Sequence, residues 1–154
     1  MPYMNKSIAI LLLTLGGGSL AACSEEDRTY KKIYPAKMEK IEGSQVKRIT
    51  LTPEAIKRID LKTVVVRETQ VKGDGASTTA RKVVPYGSLI YDQDGKTWVY
   101  TSEKPGSFER KSVKVDYIEG NDAVLNEGPP LKMPVATSGA AELYGVEGGM
   151  GGKK

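Results

Sequence analysis

The chain has no histidine and only one cysteine, one tryptophan and one phenylalanine in 154 residues. Without histidine it lacks the commonest general base at neutral pH and the commonest metal ligand. A lone cysteine, Cys23, has no partner for an intrachain disulfide. Long apolar runs are scarce too. The uncharged stretch from Ser7 to Ala22 is 16 residues long and includes Gly16-Gly17-Gly18. A bilayer span needs about 20 apolar residues, so this stretch is short for a retained transmembrane helix.

Neither sign of charge dominates. The formal net charge is +4, with +4 carried by residues 23–72 and −1 by residues 73–154. A mildly basic stretch suits an anionic membrane surface, and it equally suits a solvated spacer. It is too dilute for a nucleic-acid patch, so no nucleic-acid partner is expected.

What the chain does have begins with its layout. Met1 to Lys6 is a short start with one positive charge. The apolar run Ile8-Ala9-Ile10-Leu11-Leu12-Leu13 continues through Thr14 and Leu15 to the three glycines, and Leu20-Ala21-Ala22-Cys23 follows. A basic start, a short apolar middle and small residues at the end are the layout of a secretory signal peptide. This segment resembles a bacterial lipoprotein signal with its lipobox. The resemblance implies that the Cys23 thiol takes a diacylglyceryl group and that residues 1–22 are removed as a signal peptide. The mature chain would then be held on the extracytoplasmic face of a bacterial membrane. The chemistry is consistent, because a thiolate is a better nucleophile than a hydroxyl. Two acyl chains, at about 0.8 kcal/mol per buried methylene, hold a protein durably where one binds only marginally. Cys23 is thus the expected lipid-attachment site, and membrane lipid is the first expected partner.

From Cys23 onward 132 residues remain, enough for one modest domain. Residues 23–45 read as a flexible tether: they are charge-rich, and Tyr30, Ile33, Tyr34 and Met38 show no clean period. Val46 to Leu51 alternates enough for a short strand. A helix is expected next, over Pro53–Asp60. Thr52 can cap it, Pro53 suits its first position, and Glu54 meets the positive end of its dipole. Leu51 and Ile56 are spaced as a hydrophobic staple. Leu61 to Val66 is a β-branched run that reads as a strand. Lys72 to Thr79 reads as a loop, because its two glycines lack the rest of a phosphate-binding motif.

Strand signals are densest from Arg81 to Tyr144. Val83-Val84-Pro85 and Ser88-Leu89-Ile90-Tyr91 come first. Asp92-Gln93-Asp94-Gly95 reads as a turn into Thr97-Trp98-Val99-Tyr100-Thr101. A long strand from Phe108 to Ile118 puts Val113, Val115 and Tyr117 on one face. Ala123-Val124-Leu125 and Pro134-Val135-Ala136-Thr137 follow. The fold class expected is mainly β: a small antiparallel domain over residues 46–145 with one short helix. Residues 146–154 read as a disordered Gly-rich tail.

Candidate chemistry is thin. Asp92-x-Asp94-Gly95 resembles the start of a calcium loop but lacks the distal acidic ligand. Ser88 has no nucleophile-elbow context and no histidine to serve it. Met38, Met133 and Met150 could touch copper(I), but they are scattered and read as filler. Trp98 reads as core. The chain is therefore expected to be no enzyme and to use no cofactor or metal.

Two stretches carry a family resemblance. Val84-Pro85-Tyr86-Gly87-Ser88-Leu89-Ile90, Asp94-Gly95-Lys96-Thr97-Trp98-Val99-Tyr100, Phe108 to Val115 and Ser138-Gly139-Ala140-Ala141-Glu142-Leu143 form the first. It is similar to the C-terminal, membrane-proximal part of the periplasmic adaptor subunits (membrane fusion proteins) of RND-type tripartite efflux systems. Ile49-Thr50-Leu51-Thr52-Pro53-Glu54-Ala55, running on to Val66, resembles the segment that precedes the lipoyl-like module in the same family. The resemblance implies a membrane-proximal domain alone, because residues 67–81 stand where full adaptors carry a lipoyl-like module, a helical hairpin and a β-barrel. It further implies an accessory or scaffold role on a membrane transporter. The alternative is a stand-alone envelope lipoprotein that binds a small molecule, metal or envelope polymer, with Tyr86, Tyr91, Trp98 and Tyr100 lining a groove. The sequence leaves the oligomeric state open.

Overall fold

A computed structural model describes residues 34–72, 78–149 and 152–153. Residues 1–22 and Cys23 therefore lie outside the described residues. The described part is mainly β and largely antiparallel, as the strand patterns predict.

The first strand departs from the sequence expectation. Ala36–Lys40 (β1) lies inside the stretch read as tether, yet it pairs antiparallel along its whole length with Lys47–Leu51 (β2), Ala36 opposite Leu51 and Met38 opposite Ile49. Ala36 and Met38 alternate with Lys37 and Glu39, so the period-2 signal is present but carried by only two apolar residues. Ala36 is buried against Leu51, Ala55 and Leu143.

Helix α1 (Pro53–Arg58) forms as its capping sequence dictates. The Thr52 hydroxyl accepts the Ala55 amide at 3.2 Å, and the chain leaves the helix through Ile59 and the positive φ of Asp60. Ala55 is buried, with Ile56 and Ile59 packed beside it. Lys62–Val65 (β3) follows. The expected loop over 72–79 is shorter than read, because Arg67–Lys72 (β4) and Thr78–Pro85 (β5) form a paired hairpin arm. Its pairing is mostly polar, which hides it from a hydrophobic pattern.

After a 3-10 turn at Tyr86–Ser88 come Ile90–Tyr91 (β6), Thr97–Lys104 (β7), Ser107–Glu119 (β8), Asp122–Glu127 (β9) and Pro134–Ser138 (β10). Helix α2 (Ala140–Glu147) is a second departure, and it carries the chain into the stretch read as a tail. Its residues Ala140, Leu143 and Glu147 share one face, and all three are buried. Past it, Gly152–Lys153 (β11) pairs parallel with β1.

The strands run in the order β11-β1-β2-β8-β7-β10-β3, and the far half of β8 also pairs with β9, which continues to β5 and β4. Two hydrophobic cores lie on opposite faces of β7 and β10. Tyr100 and Ala136 belong to one core, together with α1, α2, Ile49 and Phe108. The adjacent residues Val99 and Val135 belong to the other, with Val66, Val84, Val113 and Leu125. Successive side chains of a strand point to opposite faces, so a strand buried on both sides reads as an unbroken apolar run. β8 also serves both cores, through Phe108 on one face and Val113 on the other. The alternation predicted beyond Val113 fades outward, and Tyr117 ends up 38% exposed.

Candidate functional site

The densest polar cluster lies where α2 meets β2, β7 and β8. Tyr100 and Arg110 are directly opposite each other on β7 and β8, so both side chains point to the α2 face. Glu147, in the last turn of α2, reaches them. Its Oε2 accepts the Tyr100 hydroxyl at 2.6 Å, and its Oε1 accepts Arg110 Nε at 3.0 Å and the Lys47 amide at 3.3 Å. Lys47 Nζ in turn donates to the Glu147 carbonyl at 2.9 Å, a favourable place for a cation at a helix C-terminus. The Arg110 guanidinium lies 4.5 Å from the centre of the Trp98 ring and 5.9 Å from that of Tyr144, within cation–π range.

Above this cluster is an open hollow of about 510 Å³. Lys47, Gln93, Arg110, Tyr144 and Glu147 are among its lining residues. Chemically the cluster is a latch. Burial raises the Tyr100 phenol well above its ordinary pKa, and the hydrogen bond to Glu147 and the charge of that carboxylate act in the same direction. The phenol stays protonated at neutral pH and is spent as a donor. Each charged group is engaged in holding α2 to the sheet.

The turn at Asp92 is similarly committed. Its Oδ1 accepts the amides of Asp94 at 3.0 Å and Lys96 at 2.8 Å, and its Oδ2 accepts the Trp98 indole N–H at 2.7 Å. Desolvation pulls its pKa upward, but those hydrogen bonds and the charge of Lys96 together outweigh it and hold the carboxyl below its ordinary range. Gly95 takes the positive φ of 75° that the turn requires. The Asp92–Gly95 turn therefore closes the β6–β7 hairpin.

The other sequence candidates do not converge. Ser88 is fully buried, and its hydroxyl has no hydrogen-bond partner among the described residues. Met38 lies on β1 and Met133 packs by the second core, with β2, β8 and β7 between β1 and β10. Met150 is outside the described residues. No cluster of three or more histidine, cysteine, aspartate or glutamate side chains suited to a metal forms among the described residues. Trp98, read as core, is only half-buried, and its indole serves Asp92 and Arg110. The four aromatics do not line one groove. Tyr100 is fully buried, and Tyr91 is paired with Thr97, which puts it on the opposite face from Trp98. Among the described residues no helix is long and apolar enough to cross a membrane.

The sequence reading misses Glu147, Arg110 and Lys47. The spacing of Ala140, Leu143 and Glu147 at three and four residues is the available signal for α2, and glycines on both sides of it obscure that spacing. Comparison of the chain with models of known protein families, with curated proteins and with solved structures finds no match.

Proposed function

We propose that this protein is a lipid-anchored, non-catalytic extracytoplasmic subunit that acts as an adaptor-like accessory or scaffold of a membrane efflux transporter. Cys23 carries the anchor, and the β domain presents the surface that meets the transporter. The observation that carries this reading is how the two adaptor-like stretches meet. Val64 of the Ile49–Val66 stretch is paired with Val135, next to Ser138–Leu143 of the other stretch, and Ile49 is paired with Phe108 of that other stretch. The β4–β5 arm bridges them at the point where larger adaptors insert their middle modules. Two segments far apart in a full adaptor thus form one sheet here without the intervening parts. The latch at Glu147 adds support, because its polar groups are used for structure.

Two experiments test the two halves of the reading. Cys23→Ser should abolish palmitate labelling and release the full chain from membranes; a Cys23→Ser chain that still labels would overturn the anchor. Photocrosslinking groups at exposed Tyr86, Tyr117 and Leu131 in intact cells should capture a transporter. Failure to capture any integral membrane protein from all three positions would overturn the scaffold role.

A further inference from the structure

Among the described strands, β3, β4, β6 and β11 each pair with one strand only and so have an open outer edge. An open edge offers unpaired amides and carbonyls to any other strand, and natural proteins defend such edges with charges, proline or bulges. β4 is polar along most of its length, through Arg67, Glu68, Thr69 and Gln70. β6 and β11 are only two residues long each, and very short edge strands are themselves a defence. β3 is not defended in this way. Its residues are Lys62, Thr63, Val64 and Val65, all exposed, with Val65 at 45%. Its one charge is already neutralised, since Lys62 Nζ lies 2.8 Å from Asp60 Oδ2.

We infer that the β3 edge is a self-association surface, and that its occupant is β3 of a second copy of this chain, paired antiparallel about Val64. Symmetry restricts the choice. A two-fold axis perpendicular to a sheet keeps each side chain on its own face, so a residue can oppose only a residue of the same parity. That leaves registers centred on Val64 or on Thr63. Centred on Val64, Val64 opposes its own copy and Thr63 opposes Val65, and cross-strand β-branched pairs of this kind are stabilising. The two Lys62 residues then lie about 13 Å apart along the strand direction, beyond the ~8 Å screening length at physiological salt. Centred on Thr63, they come to about 7 Å, and Leu61, whose amide is already bonded to the Ile56 carbonyl, would have to join the ladder.

The pairing is short. The Val66 amide donates to the Met133 carbonyl on the β10 side, and backbone groups alternate between the two edges of an antiparallel strand, so within β3 Thr63 and Val65 present theirs to a partner. On one face Thr63 borders a hollow of about 380 Å³ whose apolar lining includes Ile56, Leu61, Phe108 and Pro134. The second copy's Val65, opposite Thr63, falls at its rim and adds apolar contact there.

The test uses the full chain carrying Val64→Cys, under mild oxidation, with the disulfide located by peptide mapping. The expected result is a covalent dimer joined through position 64 of both copies, at least tenfold above that from Thr79→Cys on exposed β5. In light scattering of the unmodified chain, a concentration-dependent dimer should appear, and Val64→Lys should abolish it. Should Val64→Cys not fold, a mixture of Thr63→Cys and Val65→Cys chains reads the same register through the adjacent pair. A chain that stays monomeric at all concentrations and gives no dimer through 64, or through 63 with 65, overturns the inference. So does a dimer that survives Val64→Lys or crosslinks equally well through position 79. None of these readouts depends on lipid or on a transporter.

Discussion

The hydroxyl of Tyr100 and the carboxylate of Glu147 meet at 2.6 Å inside the domain, 47 positions apart in the chain. That bond joins the C-terminal helix to the central strand, and Arg110 balances its charge. Removing either end is unequal. Tyr100→Phe keeps the ring and deletes one donor, which should cost about 1–3 kcal/mol. Glu147→Ala leaves Arg110 without its carboxylate in a largely buried site, for which about 3–5 kcal/mol is expected. Urea denaturation followed by Trp98 fluorescence measures both. A Glu147→Ala protein as stable as Tyr100→Phe would show that the ion pair contributes little.

Asp92 gives a prediction in pH. Its carboxyl titrates below the unfolded value near 3.8, so the folded state favours the ionised form. Stability from this source is fully present above the unfolded pKa and is lost as pH falls through the folded one. Wild-type protein should therefore lose stability below about pH 4 more steeply than Asp92→Asn, which no longer titrates at this position. Denaturant midpoints recorded from pH 6 down to pH 2.5 would check this. Parallel profiles for the two proteins would rule out the Asp92–Trp98 contact as the source.

Two glycines separate backbone strain from crowding. Gly95 and Gly139 both hold a positive φ, 75° and 80°. A Cβ on Gly95 would meet open space, whereas one on Gly139 would come within 3.2 Å of two carbons of the Leu61 side chain. Gly95→Ala should cost only the left-handed strain, about 1–2 kcal/mol. Gly139→Ala should cost more, by roughly 1–3 kcal/mol of overpacking, and thermal melting of the pair checks it. Equal losses would mean that Leu61 yields freely.

The parts of this fold legible in the sequence are those with local chemistry of their own. Thr52-Pro53-Glu54 announces α1 by capping, and Asp92 to Gly95 announces its hairpin by a carboxylate that bonds amides two and four residues on. β1 and β4 are illegible because their pairing is made by backbone groups, while their side chains are mostly charged or small. Helix α2 is illegible because its buried face ends in a glutamate, whose burial makes sense only once Tyr100 and Arg110, distant in sequence, are placed beside it. The same holds for Trp98, whose apolar ring predicts the interior but whose N–H finds Asp92 at the margin.

The strands that hold Val99 beside Tyr100 and Val135 beside Ala136 form a party wall between two interiors. Neither interior can melt while the other stays intact, because each would lose one of its own sides. The domain is thereby bound to a single cooperative transition, and the backbone amides slowest to trade protons with solvent should be those of β7 and β10.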